Sequence, residues 1–336
     1  MKKGNGSKLT FVNIGALKKE GLSTIPRPNM NKASQFSEIQ KDQEVAEFMH
    51  KFEAWNIAQE KSVSTRTWQK FGEFVLSFMA ITPSMGALDA LNKASRPYIS
   101  LQEALADKVE DYVKPEICIV DLGCGRLDFV MRLFERNPMN LKNIYRIFAM
   151  DLDDRLLRDI VERLLAIGYE HDIALIQSMT GYALPFWKNS IDICVSSLGA
   201  SMYAFAWING ENLYGQPALK KHLQDIHRFL KPGGIFAFSA PKPKPDWGKV
   251  LRDSIIWPIK NRRLGMLIQT LTYGPEAKKR SQFMNEYEKK GYAFYLDPEA
   301  WTIILEECGF EVLEVAEGGD IYAGQGLVMV AMKGDT

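Results

Sequence analysis

Acidic and glycine residues alternate in one short stretch of the sequence, "VDLGCGRLDF", at residues 120–129. An apolar strand pattern ends at Asp121, Gly123 and Gly125 follow at alternate positions, and a helical pattern begins soon afterwards. A glycine turn between a strand and a helix allows the backbone to approach a bound cofactor closely. The stretch therefore predicts a cofactor-binding turn, although a plain strand-to-helix turn could have the same pattern.

The spacing of these residues disfavours the two common phosphate-binding turns. A dinucleotide-binding turn needs a third glycine where Asp128 stands, and an aspartate there would repel a pyrophosphate. A phosphate-binding P-loop needs a Lys-Ser or Lys-Thr pair after the turn, and none follows. S-adenosylmethionine fits better, because it carries no phosphate and because carboxylates suit its ammonium and ribose groups. The turn therefore predicts this cofactor.

Several segments of the chain resemble the class I S-adenosylmethionine-dependent methyltransferases. The motif of that family is an acid followed by three glycines at alternate positions. Asp121, Gly123 and Gly125 match it, whereas Leu127 stands at the third glycine position. Three later segments resemble family segments in the same order, namely "ALPFWKNSIDICVSSLG", "HRFLKPGGIFAFSAP" and "DPEAWTIILEECGFEVLEV". The resemblance is to small-molecule enzymes, with a type 11 methyltransferase domain similar to those of ubiquinone and menaquinone biosynthesis.

The resemblance implies which residues contact the cofactor. Asp151, at the end of the second predicted strand, would bind both ribose hydroxyls, and Ser197 and Leu198 would hold the ammonium through backbone carbonyls. The family often has an acid near Thr180 for the adenine amine, so Ser178, Thr180 or a backbone group would substitute here. The implied contacts are Asp121, Gly123, Cys124, Gly125, Asp151, Leu152, Thr180, Ser197 and Leu198. Asp121 and Asp151 could instead cap the helices that follow them.

The sequence does not point to one residue that would activate the acceptor. Methyl transfer is an in-line displacement at carbon, for which proximity and orientation alone supply about 7–11 kcal/mol. An acceptor that is already nucleophilic therefore needs no dedicated base. The candidates for a catalytic base are Tyr203, which follows the fourth predicted strand, and His50, which lies among the predicted N-terminal helices. No cluster of metal ligands is recognisable, so we expect no metal.

Short apolar runs alternate with helical patterns from Ile117 to the end of the chain. This alternation is typical of βαβ units in a mostly parallel sheet. The resemblance implies an α/β, Rossmann-like fold with seven strands and with helices on both faces of the sheet. Ser100 and Glu103 fit a capping box, which predicts that the last helix before the sheet begins at Ser100.

Changes in composition divide the chain into four predicted parts. Residues 1–35 are rich in Gly, Ser, Asn, Lys and Pro, which predicts a flexible N-terminal arm. The other parts are a helical N-terminal cap at residues 36–113, a cofactor-binding core at residues 114–241 and 297–336, and a helical cap insertion at residues 242–296. The insertion is aromatic and basic, and we expect both cap segments to close over the active site.

The composition is that of an ordinary globular protein. Of the 336 residues, 46% are hydrophobic and 25% are charged, and the net charge is +1. This near-zero charge disfavours a nucleic-acid partner. The four cysteines are scattered without a CxxC pair, and neither a signal peptide nor a transmembrane segment is recognisable. We therefore expect a cytoplasmic protein, which could form a homodimer through its N-terminal helices.

These patterns together predict an S-adenosylmethionine-dependent methyltransferase. The size of both cap segments favours a small, fairly apolar metabolite as the acceptor, with transfer to oxygen, nitrogen or carbon. Two alternatives stay open. The basic insertion could serve a methyltransferase of RNA or protein, and the sheet could bind the cofactor in an accessory protein without turnover.

Overall fold

The computed structural model describes one short N-terminal strand and most of the chain from residue 94 onward. The described residues are 9–13, 92, 94–151, 154–169, 171–177, 184–208 and 211–334. The strands are β1 (Leu9–Asn13), β2 (Ile117–Leu122), β3 (Ile144–Asp151), β4 (Asp172–Gln177), β5 (Ile191–Ser197), β6 (Phe205–Ile208), β7 (Glu211–Tyr214), β8 (Leu230–Pro241), β9 (Phe310–Glu317) and β10 (Gly326–Lys333). The helices are α1 (Arg96–Glu110), α2 (Asp128–Arg136), α3 (Asn140–Asn143), α4 (Asp154–Ala166), α5 (Gln216–Phe229), α6 (Trp247–Lys260), α7 (Leu264–Lys290) and α8 (Pro298–Glu307). Among these helices none combines the length and the hydropathy that a membrane crossing requires.

Eight of the strands form one sheet, in the order β1-β4-β3-β2-β5-β8-β10-β9. Strand β10 runs antiparallel to both of its neighbours, and the other pairs are parallel. Seven of these strands, with helices packed on both faces, form the α/β, Rossmann-like sheet that the sequence predicts. Strands β6 and β7 form a separate antiparallel pair.

Strand β1 adds an eighth strand at one edge of the sheet. It pairs in parallel with β4, from Leu9 opposite Ile173 to Asn13 opposite Gln177. For these residues the structure shows a strand where the sequence predicts a flexible arm. The other residues of the predicted arm at residues 1–35 lie outside the described part of the chain.

Alternate residues of the central strands face opposite sides of the sheet. On β2, Ile119 packs in the hydrophobic cluster of α1, α2 and α4, whereas Val120 packs in the cluster of α5 and α8. On β5, Val195 and Cys194 divide in the same way. Because helices cover both faces, both sets of side chains are apolar and buried. The core thus has two layers, which hold the strand ends between them in fixed positions.

Helix α1 begins earlier than the sequence predicts. Its N-cap is Ser95, whose Oγ accepts a hydrogen bond from the backbone N–H of Tyr98 at 3.4 Å. Pro97 fits the first turn, because proline lacks the N–H that a helix start leaves unpaired. The predicted start at Ser100 is therefore wrong. The Ser100 hydroxyl instead donates to the backbone carbonyl of Asp320 at 2.7 Å, which ties α1 to the segment before β10.

Helices α6 and α7 form a hairpin in the region that the sequence predicts as a cap insertion, and α6 packs on α1. The hydroxyls of Ser95 and Ser254 form a buried hydrogen bond of 2.9 Å between α6 and the start of α1. The indole of Trp247 contacts the rings of Tyr295 and Tyr322, with centroids 6.2 and 6.1 Å apart. These contacts fix the start of the hairpin beside the N-terminal end of α1.

The glycine pair predicted as a turn before the fifth core strand is part of β8. Gly233 has φ +70°, a left-handed conformation that glycine adopts without strain. The register of β8 against β5 shifts at this point. A Cβ atom on Gly234 would lie 2.8 Å from the carbonyl oxygen of Lys231 and 3.1 Å from that of Asp192. The close approach of these backbones therefore requires glycine.

Replacing Gly234 with alanine should lower the free energy of unfolding by about 1–3 kcal/mol, because the added methyl group overpacks against two carbonyls. Gly274→Ala is the matched control. Its Cβ would meet nothing within 4 Å, and alanine favours a helix over glycine by up to about 1 kcal/mol. Urea denaturation of both variants measures the difference. Wild-type stability in G234A would show that the two strands separate without cost.

Candidate functional site

The sheet reverses its strand order between β2 and β5. From β2 the chain proceeds outward to β3 and β4, and from β5 it proceeds in the other direction to β8. Asp121 near the end of β2 lies opposite Val195 of β5. In open α/β sheets, ligands bind outside the carboxyl ends of the strands at such a reversal. The space beyond the ends of β2 and β5, called the crevice below, is therefore the candidate site.

The predicted glycine turn closes back onto β3. The backbone N–H groups of Gly123 and Cys124 both donate to the carbonyl oxygen of Met150, at 2.9 and 3.0 Å. The N–H of Gly125 donates to Oδ2 of Asp151 at 2.8 Å. Gly123 and Gly125 have φ values of +71° and +54°, and a Cβ on either would meet nothing within 4 Å. The turn is thus anchored on one side and open on the side of the crevice.

Leu127 occupies the position where the family motif has its third glycine. Its φ is +63°, a left-handed conformation that costs a non-glycine residue about 1–2 kcal/mol. Its side chain is 1% exposed and packs in the cluster of α1, α2 and α4, which offsets that cost. The turn thus requires a conformation that favours glycine, and burial of the leucine compensates for the substitution.

A second anchor of the turn comes from α4. The guanidinium of Arg163 donates to the backbone carbonyl of Arg126 and to Oδ1 of Asp128, the latter at 3.0 Å. Sequence reasoning did not find Arg163, because its helix is separated from the turn by β3 and nothing local marks it. The salt bridge partly neutralises Asp128 and holds the first turn of α2 in place.

Negative charge accumulates where β2 and β3 end. Asp121 is 2% exposed, and burial together with the charges of Asp151 and Asp128 raises the pKa of its carboxyl well above the ordinary value. Among the described residues, no lysine, arginine or histidine forms a salt bridge with Asp121. A buried carboxylate in this situation is stabilised by a positively charged ligand.

Helix α1 contributes two polar side chains that the sequence analysis did not single out. Nε2 of Gln102 donates to the hydroxyl of Ser197 at 2.7 Å, and its buried Oε1 has no hydrogen-bond partner among the described residues. The hydroxyl of Tyr98 interacts with Gln102, and burial together with Asp128 and Asp121 raises its pKa well above the ordinary value. A signal was present, because the two residues are four positions apart on a helix with a largely apolar buried face.

The end of β5 is shaped by Leu198. Its φ is +60°, and its N–H lies 3.0 Å from the carbonyl oxygen of Ser239. Its carbonyl oxygen accepts from the hydroxyl of Ser201 at 3.0 Å. A carbonyl oxygen has a second lone pair, which can accept from the ammonium as the resemblance implies. The Ser197 side chain lies between Gln102 and Ser239. Both predicted residues thus lie at the crevice.

Tyr203 lies on the other side of the sheet. Its hydroxyl hydrogen-bonds the hydroxyl of Ser196 at 2.9 Å, and its ring centroid is 4.8 Å from that of His222. It is 1% exposed, and burial raises its pKa far above the ordinary value. This position argues against the predicted role as a catalytic base. The other candidate, His50, lies outside the described residues.

Of the cofactor contacts implied by the resemblance, most come together at the crevice. Asp121 and Asp151 end neighbouring strands, the three residues of the turn lie beside them, and Ser197 and Leu198 lie across from them. Leu152 and Thr180, together with the alternative Ser178, lie outside the described residues. The site therefore combines residues from β2, β3, β5 and α1.

S-adenosylmethionine fits the groups that line the crevice. The cofactor carries positive charge on its sulfonium and its ammonium, which suits the buried carboxyl of Asp121. The unpartnered Oε1 of Gln102 can accept from the ammonium. The carboxylate of Asp151 accepts from the backbone N–H of Gly125 through Oδ2, and carboxylate oxygens are suitable acceptors for ribose hydroxyls. The open side of the glycine turn leaves room for the cofactor.

Comparison with known protein sequences gives two findings. Residues 120–238 match a family model described as a methyltransferase domain. A malonyl-[acyl-carrier protein] O-methyltransferase 1 from Coxiella burnetii is 27% identical over 161 residues, which cover 46% of this chain and 46% of that protein. The chain thus spans about half the length of the curated relative that it matches.

Solved structures to which this chain is similar include two proteins described as S-adenosylmethionine-dependent methyltransferases. The protein from Methanosarcina mazei is 14% identical, with 67% of this chain and 96% of that chain covered and a TM-score of 0.43. The protein from Aquifex aeolicus is 16% identical, with 68% and 88% covered and a TM-score of 0.39.

The segment that matches the family model runs from β2 through most of β8. It contains the glycine turn, the acid at the end of β3, and the end of β5, which together form the crevice. Residues 120–238 are therefore a class I S-adenosylmethionine-dependent methyltransferase domain, and S-adenosylmethionine is the cofactor of this domain.

Proposed function

We propose that this protein transfers the methyl group of S-adenosylmethionine to a small, largely apolar acceptor, at oxygen, nitrogen or carbon. One observation carries the proposal. The crevice at the ends of β2 and β5 concentrates negative charge beneath a covering helix, α1, to which the hairpin of α6 and α7 is attached. Such a site accepts a cationic cofactor and excludes bulk water from the transfer.

Each group at the crevice has a distinct role in holding the cofactor. The Asp151 carboxylate accepts from the ribose hydroxyls while it keeps the glycine turn in place through Gly125. Asp121 provides the negative charge near the ammonium, and Gln102 provides an amide oxygen that lacks a donor. When bound, the cofactor supplies an electrophilic methyl group carried on a positively charged sulfur.

The walls near the crevice support an apolar acceptor. Tyr98 lies close enough to Tyr322 for their hydroxyls to interact electrostatically, and Trp247 packs edge-on against Tyr322. These rings come from α1, from the segment before β10 and from α6, so they lie where the predicted cap insertion meets the core. Aromatic walls bind flat or apolar groups and keep water out, which strengthens the electrostatic interactions inside.

The described residues favour transfer by orientation over transfer by a dedicated base. Burial raises the pKa of Tyr98 well above its ordinary value, so its hydroxyl stays protonated and does not serve as a base at neutral pH. Nε2 of His222 donates to the carbonyl oxygen of Phe205 at 2.7 Å in a buried position, and burial lowers the pKa of the ring. Holding a nucleophilic acceptor in line with the methyl group supplies most of the rate enhancement.

The relative from Coxiella burnetii supports one choice among the three acceptor atoms. Its name describes O-methylation of malonyl-[acyl-carrier protein], so oxygen is the first acceptor atom to test. The match spans less than half of that protein. The apolar character of the acceptor is therefore proposed from the crevice and from α1 and its attached hairpin, and not from the relative.

Asp151→Asn should weaken the binding of S-adenosylmethionine by about 10- to 150-fold, which is the loss of a hydrogen bond to a charged acceptor worth about 1.5–3 kcal/mol. The amide oxygen of the substitute can still accept from the N–H of Gly125, so we expect a wild-type melting temperature. Isothermal titration calorimetry with S-adenosylmethionine and its demethylated product measures both affinities.

Asp172→Asn is the matched control, because it removes a carboxylate from the start of the neighbouring strand β4. That carboxylate pairs with Arg146 at the amino ends of the strands, away from the crevice. This variant should bind the cofactor like the wild type. Unchanged affinity in D151N would contradict the ribose role, and no binding by the wild-type protein would contradict the proposed function as a whole.

Asp121→Asn should make the cofactor-free protein more stable than the wild type at pH 8, because the amide carries no charge for burial to disfavour. The folded pKa of Asp121 lies above the unfolded value of about 3.9, so the folded state binds the proton more tightly and wild-type stability falls as pH rises through that window. Urea denaturation at several values between about pH 4 and pH 8 measures the two slopes. The same variant should bind S-adenosylmethionine more weakly, because it lacks the negative charge. If the stabilities of wild type and variant changed with pH in parallel, Asp121 would not be the group whose pKa is raised.

A further inference from the structure

A second pocket lies on the outer side of α1, away from the crevice. It has a volume of about 530 Å³, and α1, α2 and the turn between α6 and α7 form its walls. Four arginines line it, Arg96, Arg132, Arg262 and Arg263, against one acidic residue, Glu103. We call it the arginine pocket.

The positive charge of this pocket is only partly compensated. Arg96 forms a salt bridge with Glu103 at 2.6 Å. Arg132 pairs with Glu135 one turn further along α2. Within the described part of the chain, Arg262 and Arg263 form no salt bridge with an acidic residue. Guanidinium groups in such a cluster suit a phosphate or a carboxylate, which they bind through paired hydrogen bonds.

The other walls of the arginine pocket are apolar. The guanidinium of Arg96 lies 5.6 Å from the ring centroid of Trp257, and Ile99 and Met266 complete the wall. The pocket therefore offers charged and apolar contacts side by side. Its ligand should contain an anionic group joined directly to an apolar one.

An exposed row of aliphatic side chains continues from the mouth of the pocket along α7. Leu264 lines the pocket and is 67% exposed, and Ile268 and Leu271 follow on the same side of the helix, each 56% exposed. We call these three residues the aliphatic strip. Contiguous exposed apolar side chains beside a charged pocket mark a binding surface.

The arginine pocket and the crevice lie on two sides of the same helix. Ile99 and Glu103 line the pocket, whereas Tyr98 and Gln102, the residues immediately before each of them, interact with groups at the crevice. Neighbouring residues of α1 thus face the two spaces. A ligand in the pocket is therefore close to the methyl-transfer site without occupying the cofactor position.

We propose that the arginine pocket binds the anionic end, a phosphate or a carboxylate, of an amphiphilic ligand whose apolar part lies along the aliphatic strip. The guanidinium groups of Arg262 and Arg263 hold the anion, and Trp257 packs against the first apolar atoms. The identification of this ligand with the methyl acceptor rests on the proposed function. The existence of the binding site does not.

Titration of octyl phosphate into the full-length protein by calorimetry, below the concentration at which the amphiphile aggregates, tests the site. The wild type should bind it, and the double variant R262Q/R263Q should bind roughly 10-fold more weakly or worse. The variant K289Q/K290Q is the matched control, because it removes two charges at the far end of the same helix. It should bind like the wild type.

Octanol and octyltrimethylammonium test the charge requirement. Binding of either as tightly as octyl phosphate would overturn the proposal, since the arginines would then have no role. Equal losses in R262Q/R263Q and K289Q/K290Q would overturn it too, because the effect would then come from general charge and not from the pocket.

Flotation with vesicles distinguishes the two sources of such a ligand. Vesicles of phosphatidylcholine alone serve as the reference for vesicles that also contain phosphatidylglycerol. Octyl phosphate binding without flotation identifies a dispersed amphiphile, and octyl phosphate binding with flotation only on the anionic vesicles identifies a membrane lipid. Flotation without octyl phosphate binding would contradict a pocket and indicate a surface contact.

A parallel titration of S-adenosylmethionine separates this proposal from the proposed function. R262Q/R263Q should bind the cofactor like the wild type, because neither residue lies at the crevice. A wild-type protein that binds octyl phosphate but not the cofactor would refute the proposed methyltransferase activity and support the arginine pocket. A wild-type protein that binds the cofactor but not octyl phosphate would refute the arginine pocket and support the proposed function.

Discussion

A carboxyl group with hardly any access to water, Asp121, lies near the end of the central strand of this protein, and neighbouring acids make its ionised form still less favourable. Burying a charge without a partner is costly, and a native structure retains such a charge only where the surroundings are rigid or where a ligand completes the site. Both conditions hold here. The sheet fixes the carboxyl from two sides, and the methyltransferase domain binds a cationic cofactor.

The elements around this carboxyl are held in conformations that a free chain would not prefer. Leu127 and Leu198 both have a left-handed backbone, one at the start of α2 and the other directly after β5. Side-chain packing on both faces of the sheet and the two anchors of the turn, Arg163 and Asp151, stabilise these conformations. These contacts hold the site in a defined arrangement, and such an arrangement lowers the cost of ordering the site on binding.

Helix α1 serves two spaces at once. Its polar residues Tyr98 and Gln102 approach the crevice, and the adjacent residues Ile99 and Glu103 line the arginine pocket. Because the hairpin of α6 and α7 is attached to the start of this helix through Ser95, a ligand that moves the hairpin would also act on the helix that covers the cofactor. Under the proposed function, the cap would therefore link recognition of the acceptor to the methyl-transfer site.

The sequence alone determined the features that depend on short stretches of chain. The glycine turn, the acid ending β3 and the alternation of strands with helices follow from local spacing and periodicity, because neighbouring residues produce them. Only the tertiary structure decided which distant residues complete the site. Gln102 meets Ser197 across 95 positions, and Arg163 reaches the turn from another helix. Tyr203 packs on the other face of the sheet, although it follows β5 after a short turn. Such contacts depend on how helices pack across the sheet, and local sequence patterns carry no record of that packing.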